Sequence, residues 1–185
     1  MSGKILQENR TLAVLAAEAA EYAAGERTIN AKALAKRLGI FRPTAVKLLC
    51  LLDLMGLLGE RGRKGFEVLP CARAAEEIRA RAERLPQDYL PLSEDEKEFE
   101  KAGYDGYMFG TLLPALKIGI TYGSISVIYL QRKMSVGYER AHEIYDLLGA
   151  GGFFDKDDEI NPGRKLMTVG YSDYDRIYMR LEGRR

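Results

Sequence analysis

A single histidine, two cysteines and the absence of any long uncharged apolar run remove several kinds of function before a motif is sought. With His142 alone, no His-paired metal motif can be assembled, and a nucleophile-histidine triad would hang on one helix residue. Cys50 and Cys71 are far from CxxC spacing, so neither a disulfide framework nor a cysteine metal cluster is indicated. Both thiols suit a reducing compartment as small apolar residues. The most apolar run near a polar motif, TYGSISVIYL, is too short and too β-branched to span a bilayer. The start, MSGKILQENR, has charge but no apolar segment of the secretory kind. No GxxxxGK[ST] run is present, and the acidic residues Asp155, Asp157, Asp158 and Glu159 lack the DxDxDG spacing of a calcium loop. The expectation is a soluble, cytoplasmic, non-enzymatic protein with no catalytic residues, no metal, no cofactor and no membrane partner.

What is present is unevenly distributed. The net charge of +1 conceals a basic segment, residues 28–70, with eight Lys or Arg against three Asp or Glu. Residues 86–123 hold three against seven, and residues 124–170 six against seven. A basic segment of that size is a candidate surface for an anionic partner.

An internal repeat organises the chain. Thr28 to Leu58 aligns without gaps with Ser124 to Phe154, pairing Ile29 with Ile125, Leu34 with Leu130, Ala45 with Ala141, Leu51 with Leu147, Leu52 with Leu148 and Gly56 with Gly152. Conservative partners include Lys36 with Arg132, Arg37 with Lys133, Leu48 with Ile144 and Ile40 with Val136. In each copy a Thr or Ser opens a short segment with apolar residues at helical spacing: Ala31, Leu34, Ala35 and Leu38, then Val127, Leu130 and Met134. A turn around Gly39 to Pro43, or Ser135 to Tyr138, leads to a longer helix over about 43–55 and 139–148, stopped by Gly56 and by Gly151-Gly152. Apolar pairs flanking Arg61 to Gly65, and flanking the acidic tract 155–165, predict a hairpin after each.

A first helix stands ahead of each copy, over 4–24 and over Tyr104 to Ile120, the latter bent or split at Pro114. Helix, turn, helix and two-stranded wing is the winged helix-turn-helix order. The expected fold class is mainly α with small β-hairpins, an α+β chain of tandem winged-helix domains. The expected limits are 1–70 for the first, 71–103 for a connecting helix and acidic linker with a short helix at 94–101, and 104–185 for the second.

The second copy carries the run Leu130-Gln131-Arg132-Lys133-Met134-Ser135-Val136-Gly137-Tyr138-Glu139-Arg140-Ala141, preceded by Ser124-Ile125-Ser126. It resembles the γ domain of FtsK-type DNA translocases, whose hallmark is S-I-S-x-x-x-L-Q-R-R-x-x-I-G-Y-N-R-A. The resemblance covers about 45 residues and reaches the first copy only through the repeat. It implies a winged helix that recognises duplex DNA and contacts a protein partner. The chain departs from the pattern with carboxylates at Glu139 and Glu143.

The candidate DNA contacts follow from charge and from where helix-turn-helix modules meet DNA. Arg42, Thr44 and Lys47 lie at the start and on the polar side of the first copy's third helix. Arg61, Arg63 and Lys64 crowd its wing tip, with Lys32, Lys36 and Arg37 placed to hold flanking phosphates. In the second copy Arg132, Lys133 and Arg140 are the counterparts. The expected partner is double-stranded DNA, with a protein-interaction adaptor as the alternative. Residues 46–55 are apolar on nearly every side, so another surface must cover them: the other copy, a homodimer mate or a partner protein.

Overall fold

The computed structural model describes residues 10–70, 72–85 and 103–184, and in them the chain is a mixed α+β protein. Residues 4–9 of the expected first helix, Cys71, and the acidic tract with its expected helix at 94–101 lie outside the described residues. No helix among the described residues is long and apolar enough to cross a membrane.

Two units share one element order. The first runs α1 (Leu12–Ala24), β1 (Thr28–Ile29), α2 (Ala31–Leu38), α3 (Arg42–Leu54), β2 (Leu58–Gly62), β3 (Gly65–Val68) and α4 (Ala72–Ala82). The second opens on a helical stretch at 103–107 and a π-helical turn at Met108–Leu112. It continues through α5 (Leu113–Tyr122), β4 (Ser124–Ile125), α6 (Val127–Met134), α7 (Tyr138–Ala150), β5 (Phe154–Asp157), β6 (Lys165–Met167) and α8 (Tyr171–Glu182).

The repeat works through local chemistry at equivalent positions. Asn30 and Ser126 are both N-caps whose side chains accept a backbone N–H three residues on, at 2.9 Å from Ala33 and 3.2 Å from Tyr129. The C-caps of α2 and α6, Gly39 and Ser135, both adopt the left-handed conformation, with φ 65° and 55°. Serine meets a steric penalty there that glycine does not. Pro114 forces the expected change in its helix: lacking an N–H, it follows a π-helical turn in which Leu113 N bonds back to Met108 O.

The sheets have a strand that the sequence pattern does not announce. Each is three-stranded and antiparallel, in the orders β1-β3-β2 and β4-β6-β5. The short strands pair Thr28 with Glu67 and Ile29 with Phe66, and Ser124 with Leu166 and Ile125 with Lys165. Each hairpin shifts register at the same repeat position, between Leu58 and Arg61 and between Phe154 and Asp157. The paired residues Ile29 and Ile125, Leu34 and Leu130, Leu51 and Leu147, and Leu52 and Leu148 are all fully buried.

The units pack on each other through α7, which meets α1, α3 and α4, and this explains why α3 and α7 are buried almost all round. The cover that residues 46–55 require therefore comes from within the chain. At this contact Lys47 Nζ lies 2.7 Å from Glu143 Oε2, with both side chains buried. These two residues are 96 apart, the repeat offset, so each meets its own equivalent. Such a meeting marks the axis of an approximate two-fold.

The helix after each hairpin packs on its own unit and also reaches the opposite one. α4 packs on α1 and α7, placing the Arg81 guanidinium where a Cβ on Gly152 would come within 2.5 Å of its Cζ. α8 does the reciprocal thing at Gly56, where a Cβ would lie 3.7 Å from Arg180 Cζ. The alanines of α1 (Ala16, Ala19, Ala20 and Ala23) present no bulk, so α4 and α7 can both approach that helix closely.

Candidate nucleic-acid interface

Three chain segments of the first unit converge on one groove of about 510 Å³. The start of α2 contributes Asn30 and Lys32, the start of α3 contributes Arg42 and Pro43, and the β2–β3 hairpin contributes Arg61, Arg63 and Lys64. Asn30 ties two of these together, because its side-chain amide donates to the Lys64 carbonyl at 2.8 Å while its oxygen caps α2. Lys32, Arg42, Arg61, Arg63 and Lys64 are all exposed, and among the described residues no carboxylate lines the groove, whose remaining edge is Gly103 and Tyr104. The five like charges repel one another across the groove, while Glu60 and Glu67 stand on the neighbouring face of the hairpin with Arg61, Arg63 and Lys64. The Arg61 guanidinium sits 5.5 Å from the ring centres of both Phe66 and Tyr104, which holds it beside the groove floor.

The other candidate contacts separate into distinct places. Lys36 and Arg37 are exposed in the last turn of α2, outside the groove lining, with Arg37 over the Tyr22 ring at 5.9 Å. Thr44 and Lys47 are buried, 4% and 6% exposed, because their side of α3 faces the second unit. Arg132 and Lys133 are exposed at the end of α6, and Lys133 donates to the Tyr122 hydroxyl at 3.0 Å. That hydrogen bond holds the Tyr122 hydroxyl below its ordinary pKa. Arg140 is half-buried, directed at the Thr111 hydroxyl. His142, also buried, faces Asp146 at 3.2 Å on the next turn of α7.

A buried charge centre that the sequence reading passed over holds the C-terminal helix in place. Asp53, 2% exposed, accepts hydrogen bonds from the Tyr104 hydroxyl, Arg180 and Arg184. The two guanidinium groups also bond backbone carbonyls: Arg180 those of Asp53 and Leu54, and Arg184 those of Leu58 and Gly59. Burial and the neighbouring Asp53 carboxylate push the Tyr104 hydroxyl well up, while burial lowers Arg180 against the opposing pull of Asp53. The available signals were an aspartate inside the run Leu48-Leu49-Cys50-Leu51-Leu52-Asp53-Leu54 and two arginines four residues apart near the C-terminus. Burial likewise raises the Cys50 thiol, which donates to the Tyr104 carbonyl at 3.7 Å.

The groove is a candidate site for an anionic ligand. Its cations project from a helix start and a hairpin, both anchored by the buried side of the unit, so a ligand meets them already placed. No protein-family profile matches the chain, and neither a curated protein nor a solved structure is significantly similar to it.

Proposed function

We propose that the chain is a tandem winged-helix protein that binds double-stranded DNA through the cationic groove of its first unit, gripping phosphates rather than reading bases. The order helix, strand, helix, helix and hairpin, with the first strand completing a three-stranded sheet, is the winged-helix order. The observation that carries the functional reading is the set of five exposed cations around one groove whose described lining holds no carboxylate. Burial of Thr44 and Lys47 leaves Arg42, Pro43 and Val46 as the accessible residues at the start of α3, and that restricts base contact. Phosphate contact gives affinity with little sequence preference.

The test is an anisotropy titration of labelled duplexes of different sequence at low salt. The proposal expects similar affinities across sequences and a weakening of roughly tenfold or more in Arg63→Ala/Lys64→Ala. Absence of duplex binding, or an unchanged affinity in that variant, would reject it. One observation favours the alternative of a protein-interaction adaptor: α3 and α7 are already committed to protein packing. Under that reading a stable protein partner is recovered and duplex DNA is ignored.

A further inference from the structure

The second unit has a groove in the equivalent place, and its chemistry differs. It measures about 470 Å³ and is formed by the starts of α6 and α7 and the hairpin segment Pro162 to Arg164. Ile128 stands where the first groove has Lys32, Tyr138 where it has Arg42, His142 where it has Val46, and Tyr145 where it has Leu49. Two arginines remain, Arg132 and Arg164, and again no carboxylate lines the groove among the described residues. The Arg164 guanidinium lies over the Tyr129 ring at 4.3 Å. Tyr138 and Ile128 leave large apolar faces in water, at 48% and 56% exposure.

From these features we infer that the second groove binds unpaired DNA, stacking a base on Tyr138, packing its neighbour on Ile128 and holding the backbone with Arg132 and Arg164. Two cations with no carboxylate select an anion. The exposed Tyr138 ring selects a flat aromatic group. A single strand supplies both in each nucleotide, whereas in a duplex the base faces are already stacked on one another. An acidic peptide offers charge to the arginines but no regular supply of flat rings. Binding here does not depend on duplex binding by the first groove.

The test uses the full chain. It contains no tryptophan, so Tyr138→Trp introduces a single reporter at the groove. Titration with an oligothymidylate of roughly 12 nucleotides should quench that emission. An oligomer with the same backbone and no bases should bind roughly tenfold or more weakly, and Tyr138→Ala should weaken oligothymidylate by a similar factor while Tyr138→Phe restores it. Equal binding of the base-free backbone, equal binding of polyglutamate, or indifference to Tyr138→Ala would overturn the inference. Quenching by oligothymidylate in a chain that ignores duplex DNA would support this inference and reject the duplex reading.

Discussion

Replacing Lys47 by alanine removes one half of a charge pair that sits between the two units. The Lys47 Nζ and Glu143 Oε2 atoms are 2.7 Å apart, and their side chains are 7% and 6% exposed. Removing one member of such a pair leaves the other charge buried without its partner, which costs about 3 to 5 kcal/mol. That is a large share of a typical folding free energy of about 5 to 15 kcal/mol. In a chain of this size it corresponds to a fall in Tm of roughly 6 to 20 °C. Glu143→Ala should cost a similar amount. Lys47→Met/Glu143→Leu removes both charges and keeps the volume, so it should recover most of the loss or exceed the parent. Urea unfolding of the two single variants and the double variant, read as a cycle, gives the coupling directly. Single substitutions that cost less than about 0.5 kcal/mol, or a double variant that merely sums the two losses, would refute the reasoning.

Three further outcomes follow from particular contacts. Ser135→Gly relieves a left-handed serine at the position where the first unit has Gly39, and thermal unfolding should show a gain of about 0.5 to 1 kcal/mol. Asp53→Ala strips the carboxylate from Arg180, Arg184 and Tyr104, so it should cost about 3 kcal/mol and make α8 the first segment cut in limited proteolysis. Burial raises Tyr145 from its ordinary 10.0 to about 12, so the folded state holds that proton where the unfolded state loses it. Stability from this group is full below pH 10.0 and falls as pH rises toward about 12, a decline that Tyr145→Phe should lessen in alkaline unfolding curves.

Much of the architecture was legible because the repeat duplicates local signals. The turn at Gly39 and Ser135 and the stops at Gly56 and Gly152 act over three or four residues, and a sequence displays such interactions openly, whereas Thr28 and Ser124, expected to open the helices, are strand residues and the caps are Asn30 and Ser126. Thr28–Ile29 and Ser124–Ile125 were not legible as strands, since two residues carry no periodicity and become strands only by pairing with the distant hairpins. α8 was unannounced because it is held by Asp53, more than a hundred residues away in sequence.

The candidate site was legible where it is local and illegible where it depends on the packing of the units. Arg61, Arg63 and Lys64 share one hairpin with no carboxylate between them, and they line the groove as expected of a basic tip. Thr44 and Lys47 occupy the polar side of α3 that a lone winged helix would expose. In this chain that side meets α7, and the charge that invited a DNA reading pairs with Glu143. The aromatic groove of the second unit was hidden for the opposite reason. Tyr138 and Tyr145 lie on α7 and Arg164 on the hairpin that follows it, and only the fold brings them to one place.

The measurement that bears most directly on the central claim is the salt dependence of duplex DNA affinity. If Lys32, Arg42, Arg61, Arg63 and Lys64 each neutralise one phosphate, log K should fall against log salt with a slope of about −4 to −5, a loss of roughly 500-fold between about 50 and 200 mM. Arg63→Ala/Lys64→Ala should make the slope shallower by about 2. A slope near zero, or one that this variant leaves unchanged, would contradict the account.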